Sequence, residues 1–351
     1  MTLDVYDFFS GCGGTSKGFQ NAGLKPVFAL DFDKYAAYTY KTNFPDVHYS
    51  TSDITQFDTS ELDEIVFHKE ANKKLFCGCA PCQPFTKQNT TKPNTDKDAR
   101  RSLLSWFGEL VRKYLPDYVF VENVPGMQKV TGNSTLSRFK KRLESLDYRT
   151  VIEIIEAQKY GVPQRRRRLI LLACKNARID LPDPTHNPSL GKPYSSVRDW
   201  IAHLPPIEAG ETHPTIPNHQ AADLSPLNLK RIKSTPPEGS RVDWPPKLRL
   251  ACHNRSSYSG HTDVYGRMKW DEPATGLTTR CISLSNGRFG HPEQHRAISV
   301  REAAALQTFP DDFLFYGPLT SQARQIGNAV PVALAEVFGR HILNHMELIT
   351  N

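Results

Sequence analysis

Val5-Tyr6-Asp7-Phe8-Phe9-Ser10-Gly11-Cys12-Gly13-Gly14 decides the fold of this chain. Five mostly apolar residues read as a buried strand, the next five as a glycine turn, and Thr15 to Ala22 as a helix leaving that turn. Outward from this unit the pattern repeats. Pro26 to Leu30 is a second strand ended by Asp31-Phe32-Asp33, with a helix from Lys34 to Thr42. Lys74 to Gly78 is a strand entering Cys79-Ala80-Pro81-Cys82-Gln83. Leu103 to Tyr114 has helical spacing, Tyr118 to Val121 is a strand ending at Glu122, Thr135 to Leu146 is a helix, and Arg168 to Ala173 an apolar strand. Strands alternating with helices imply an α/β fold with a mostly parallel, Rossmann-like sheet covered on both faces. Ligands of such sheets sit at the carboxyl ends of the strands, where Gly11, Asp31, Cys82 and Glu122 fall.

The character changes near Leu181. Half of the 26 prolines lie between Pro182 and Pro246, and clean periodicity is lost. The expected division is a catalytic and cofactor-binding domain over 1–185, completed by 319–351, and a smaller loop-rich domain over 186–318. Helical signals return at Ser299 to Gln307, where Ser299 and Glu302 have capping-box spacing. In the tail, Val332, Leu334, Ala335, Phe338, Ile342 and Met346 form one stripe.

Composition excludes more than it selects. The 351 residues are 38% hydrophobic and 23% charged, which argues against wholesale disorder, and the net charge of +7 suits a polyanionic partner without requiring one. Seven cysteines without framework spacing, and no N-terminal signal pattern, point to free thiols in a reducing cytoplasm. No apolar run approaches the roughly 20 residues that span a membrane.

Gly11, Gly13 and Gly14 let the backbone come close to a ligand, although an ordinary tight turn needs no more than this. The nicotinamide fingerprint wants a third glycine at position 16, and Ser16 stands there. Asp31, ending the second strand, is placed to accept from ribose hydroxyls. Phe32 offers a face to an adenine or serves as a core aromatic, and Asp53-Ile54 offers an acceptor to an adenine amino group. Cys82 admits three readings: a structural thiol, a metal ligand beside Cys77 and Cys79, and a nucleophile. A closed zinc site needs four ligands and no second pair matches, so no metal is expected. A nucleophile needs an exposed sulfur and a neighbour that activates the target, and Glu122 supplies one if the two loops meet.

Six motifs stand in order: Asp7 to Gly14, Pro81-Cys82-Gln83, Glu122-Asn123-Val124, Gln164-Arg165-Arg166-Arg167-Arg168, Arg301 to Gln307, and Gln325 to Pro331. Together they resemble the DNA (cytosine-5)-methyltransferases of bacterial restriction-modification systems. The resemblance implies transfer of a methyl group from S-adenosylmethionine to C5 of a flipped-out cytosine in double-stranded DNA, through a covalent bond between Cys82 and C6. It gives Glu122 the ring N3 and exocyclic amine, Arg166 the cytosine O2 and the turn, and Arg168 the support of neighbouring loops. Phe8, Ser10, Gly11, Cys12, Gly13, Gly14, Asp31, Phe32, Asp53, Ile54, Pro81, Asn328 and Ala329 are expected around the cofactor. Gln83, Arg100, Gln164, Arg165 and Arg280 are expected at DNA. The target-recognition domain carries Arg231, Lys233, Arg241, Lys247, Arg249, Arg255, Arg267, Lys269 and Arg288 as further basic residues. Gly276 stands where relatives usually have Thr, so the recognition sequence does not follow from the chain. A monomer is expected, in the cytoplasm and on the nucleoid through its DNA. A cognate restriction endonuclease, a phage origin and a solitary role are all compatible with it. Two other functions stay open: a tRNA cytosine-5 methyltransferase of the same fold, and a catalytically silent DNA-binding protein.

Overall fold

The structure is a computed structural model describing residues 2–68, 72–80, 99–129, 134–251 and 263–350, without the side chains of 67–68, 99–102 and 128–129. Pro81, Cys82 and Gln83, the side chain of Arg100, and Arg255 therefore lie outside the described residues. The chain forms two compact units, residues 1–160, 167–185 and 329–351 in one, and 161–166 with 186–328 in the other. In chain order the elements are β1 (Leu3–Phe8), α1 (Gly14–Asn21), β2 (Lys25–Leu30), α2 (Lys34–Asn43), β3 (His48–Ser50), α3 (Ser60–His68) and β4 (Lys73–Gly78). Next come α4 (Ala99–Tyr114), β5 (Tyr118–Asn123), α5 (Thr135–Ser145), β6 (Tyr148–Glu156), β7 (Gln164–Arg165), β8 (Arg167–Lys175), α6 (Val197–Ile201) and α7 (Pro226–Lys233). β9 (Ala274–Thr275), α8 (Val300–Leu306), α9 (Leu319–Asn328) and α10 (Val332–Thr350) complete the list.

The first unit holds a seven-stranded sheet in the order β3-β2-β1-β4-β5-β8-β6. The strands from β3 to β5 run parallel, while β8 runs antiparallel to both of its neighbours. Strand order reverses between β1 and β4, which opens a crevice at their carboxyl ends. Aromatic packing fixes both faces. Tyr6, Phe8, Phe28, Phe76 and Phe107 meet on one, with ring centroids 5.1–6.5 Å apart. On the other, Phe120 lies 5.5 Å from both Phe19 and Phe338. The tail stripe buries as its spacing expects. α10 lies so close to α1 that a Cβ on Gly18 would sit 2.3 Å from the Val332 carbonyl oxygen. β6 and α3 are elements that the apolar pattern did not indicate.

The second unit is poor in regular structure and is held together by buried arginines. Arg267 donates to the carbonyls of Ile232, Thr235, His291 and Gln294 at 2.6–2.9 Å. Arg296 forks onto both oxygens of Glu302 at 2.7 Å, while Ser299 and Glu302 cap α8 reciprocally. Charged groups buried this deeply persist because each is paired or spends its donors on carbonyls that would otherwise be orphaned. No described helix is long and apolar enough to cross a membrane.

Candidate functional site

In the first unit, the turn after β1 and the ends of β2, β4 and β5 converge on the crevice. Gly11 has φ +52° and, among the described residues, nothing within 4 Å of where a Cβ would stand, so they leave open space before the turn. Gly13, at φ +98°, has no such room: a Cβ there would meet the Phe44 ring at 2.6 Å and the Tyr40 ring at 3.0 Å. Asp31 is locked by its own surroundings. The Gly11 N–H donates to Oδ2 and the Asp33 N–H to Oδ1, each at 2.9 Å. Burial pushes the Asp31 carboxyl up, and these backbone donors pull it back. The Phe32 N–H adds a third backbone donor, and a carboxylate has capacity for a further one. Beside it, Phe32 is 65% exposed, an unusual place for so large an apolar ring.

Two of the expected cofactor residues, Phe8 and Ile54, belong to the core, while Ser10 and Cys12 are buried in the turn. Burial raises the Cys12 thiol to about 12, so it stays protonated. The Asp53 Oδ1 accepts from the N–H and hydroxyl of Thr55 at 2.9 and 2.8 Å, closing its own turn at the surface. Asn328 is exposed at the end of α9 in the second unit, and Ala329 begins the return to the first.

At the other side of the crevice, Glu122 ends β5 with its side chain almost buried. The Arg168 Nε lies 2.7 Å from Glu122 Oε1, an ion pair at close range. Oε1 nevertheless accepts no hydrogen bond from the described residues, so the N–H of Arg168 does not aim along that line. The neighbouring Asn123 reaches across: its Nδ2 donates to the Ala80 carbonyl at 3.0 Å. That bond ties the end of β5 to the residue two before Cys82. The sequence offered Asn123 only as part of a motif, and its role had no separate signal. Cys79 is held well above the ordinary thiol range, by burial first and by Glu122 second. Among the described residues no group of three or more His, Cys, Asp or Glu could hold a metal.

The arginine run divides between the units. Arg168 belongs to the first, while Arg166 is buried in the second, where Nη1 donates to the Leu277 carbonyl at 3.0 Å and Nη2 to that of Gly327 at 3.2 Å. Gln164 is buried as well. Its amide nitrogen donates to the Leu306 carbonyl at 2.6 Å and its oxygen accepts from the Leu277 N–H at 3.0 Å. Arg165 points outward onto Glu272, and Arg280 is exposed. Several of the basic residues expected to be available for readout are committed elsewhere. Arg231, Arg241 and Arg267 are buried, Arg231 donating to the Leu248 carbonyl and Arg267 to its four carbonyls, and Arg288 donates to the carbonyls of Glu238, Gly239 and Arg267. A Cβ at Gly276 would stand 3.2 Å from the Arg165 carbonyl oxygen, beside the parallel pairing of β7 with β9.

Comparisons with known proteins bear on the whole chain. Residues 3–344 match the family model described as C-5 cytosine-specific DNA methylase. The chain is similar to the Type II methylase M.HgiDII of Herpetosiphon aurantiacus, 38% identical over 99% of this chain and 97% of the relative. It is 32% identical to the Type II methyltransferase M1.HphI of Haemophilus parahaemolyticus, over 98% of this chain and 87% of the relative. Among solved structures, a candidate DNA modification methyltransferase encoded within an E. coli prophage superposes with a TM-score of 0.75 at 22% identity, covering 99% of this chain and all of the other. The S. pombe Dnmt2 methyltransferase does so with a TM-score of 0.61 at 18% identity, over the full length of both chains. Both structural likenesses concern the fold.

Proposed function

The chain belongs to the C-5 cytosine-specific DNA methylase family and is a DNA cytosine-5 methyltransferase, and we propose that it works on a cytosine swung out of a specific double-stranded sequence, through a bond between Cys82 and ring C6. The observation that carries the proposal is the tie between Asn123 and Ala80 beside the Glu122–Arg168 pair. Cys82 follows Ala80 by two residues, a reach of at most about 7 Å along the chain. A thiolate source and a carboxyl group are thereby tethered to the ends of adjacent strands.

In this reading the Cys82 thiolate adds to C6, and a proton held between Glu122 and ring N3 offsets the charge pushed into the ring. C5 becomes nucleophilic and takes the methyl group. A base, water included, removes the C5 proton, and the electron pair left behind expels Cys82. Arg168 keeps Glu122 in place during these proton movements. The residues of the turn fit S-adenosylmethionine, whose chemical contribution when bound is an electrophilic methyl group. The open space at Gly11, the preset Asp31 oxygens and the exposed Phe32 ring suit its nucleoside. The second unit is the proposed reader of the target, with Arg165 and Arg280 among its exposed cations. The Type II names of the relatives support a modification enzyme paired with an endonuclease of the same site, and in this reading it acts as a monomer in the cytoplasm.

Bisulfite sequencing of genomic DNA from cells expressing the chain tests this directly, with one methylated sequence context as the expected result. Labelled S-adenosylmethionine supplied with plasmid DNA or tRNA should mark DNA, and label confined to tRNA would refute the proposal. DNA bearing 5-fluorocytosine at the target should trap a covalent complex, which Cys82→Ser abolishes.

A further inference from the structure

Ser16 occupies the place of a third glycine, and its hydroxyl is not idle. The Tyr40 OH donates to Ser16 Oγ at 2.8 Å, and Ser16 Oγ donates to Asp7 Oδ2 at 2.7 Å. All three side chains are fully buried. Donor directions are settled by chemistry, because Ser16 has one proton to give and the carboxylate is the acceptor. Each member comes from a different element: Asp7 from β1, Ser16 from the first turn of α1, Tyr40 from α2.

The chain between Asp7 and Ser16 is the glycine turn itself. Bonding Asp7 to Ser16 therefore closes a loop around residues 8–15, stapling the strand that enters the turn to the helix that leaves it. Tyr40 adds a wall, since its ring lies where a Cβ on Gly13 would have to go. α1 has no side-chain cap at Gly13 to fix its start, and the Ser10 carbonyl, accepting from the Gly13 N–H at 2.9 Å, is a local turn bond only. In glycine-only fingerprints the third glycine lets the helix press against the strand. Here a side chain fills that gap, and the close approach falls instead to Gly18 against α10.

We infer that Ser16 is a positioning residue for the cofactor: by bridging Tyr40 and Asp7 it holds the turn from Ser10 to Gly14 in the shape against which the nucleoside docks. The inference rests on the reading of that turn as the S-adenosylmethionine site. Ser16 touches neither cofactor nor base in this account. Its loss acts on affinity through the Gly11 N–H that orients Asp31.

The test uses the full chain with Ser16→Ala, Ser16→Thr and Tyr40→Phe. S-adenosylhomocysteine is titrated by calorimetry, and steady-state methylation and thermal melting are measured alongside. Ser16→Ala and Tyr40→Phe should each weaken S-adenosylhomocysteine about fivefold to tenfold, the scale of one buried hydrogen bond. The cofactor KM should rise in step, kcat and the DNA KM should hold within about twofold, and Ser16→Thr, which keeps the hydroxyl, should bind like wild type. Wild-type affinity in Ser16→Ala and Tyr40→Phe, whatever their melting temperatures, overturns the inference. So does a fall in kcat with affinity unchanged. Should Ser16→Ala not fold, Ser16→Thr and Tyr40→Phe decide alone. A wild-type protein that methylates DNA yet does not bind S-adenosylhomocysteine refutes the location of the cofactor instead.

Discussion

Replacing Asp7 by Asn removes a charge from one of the least hospitable places in the molecule. Burial pushes the Asp7 carboxyl up from 3.8 to about 7, with the hydroxyl of Ser16 pulling it down and Asp31 pushing it further up. The other titratable groups that feel it are Cys12, Tyr40, Tyr49, Cys77 and Cys79. None of these brings a positive charge. Asp7 Oδ1, moreover, accepts no hydrogen bond from the described residues. The carboxyl is thus folded in at a pKa above its unfolded value. Its contribution to stability is complete below pH 3.8 and is lost as pH rises through about 7.

At about 1.4 kcal/mol for each pH unit, the whole displacement corresponds to roughly 4 kcal/mol. About 3 kcal/mol of it should fall between pH 5 and pH 9, levelling off above pH 8. Asn cannot titrate, but its carbonyl oxygen can still accept from Ser16. Urea unfolding of wild type and Asp7→Asn at one-unit steps across this range isolates the effect, because other groups cancel in the difference. Wild type should lose stability relative to Asp7→Asn as pH rises. A difference that stays flat would show that Asp7 is not the buried, cation-free acid described here, and one of opposite sign would require a hidden positive partner.

Gly18→Ala should destabilise the protein by about 1–2 kcal/mol in the same assay, because overpacking against the backbone of α10 outweighs the helix propensity that alanine adds; unchanged stability would mean that α1 and α10 do not pack as closely as 2.3 Å implies. Glu302→Gln removes the negative charge paired with the buried Arg296 and should cost roughly 3–5 kcal/mol, read from the shift in urea midpoint. Cys82→Ser should leave less than about one-thousandth of wild-type methylation, measured as label transferred to DNA, while binding S-adenosylhomocysteine normally. Binding to DNA should weaken steeply with added salt if the second unit meets phosphates, and a flat salt profile would count against that contact.

What the sequence disclosed and what it hid divide along physical lines. β1, β2, β4, β5 and β8 are flanked by several buried neighbours, so each appears as a short apolar run. β6 pairs with β8 alone at the sheet edge, and Arg149 and Glu153 look outward from it, which breaks the run that a reader would notice. The antiparallel course of β8 has no local signature, since direction is set by how the chain returns after β6. Arg165 is exposed and Arg166 buried, and no local pattern announces their partners: the carbonyls taken by Arg166 lie 111 and 161 residues further on. For the same reason a count of basic residues overstated the surface available for readout, because Arg231 and Arg267 serve as internal donors to carbonyls in a unit with little sheet or helix to satisfy them.

The same contrast explains how the crevice is organised. Its groups are fixed by short bonds to the main chain: Asp31 by the N–H groups of Gly11 and Asp33, and the end of β5 by the Ala80 carbonyl that accepts from Asn123. Groups anchored this way cannot swing, and a site built on strand ends keeps its geometry without the entropy of ordering long side chains on each turnover. Side chains enter where charge must be governed. Arg168 stands against Glu122, while Asp7 is left without a cation and with Ser16 as its one described donor. A buried acid that weakens the fold would be expected to give way to an apolar residue if packing alone mattered. Its cost is intelligible if the staple it forms with Ser16 keeps the turn ready for a ligand, so the loss of stability from burying the Asp7 carboxyl and the gain in binding from the bond it accepts should trace to one and the same side chain.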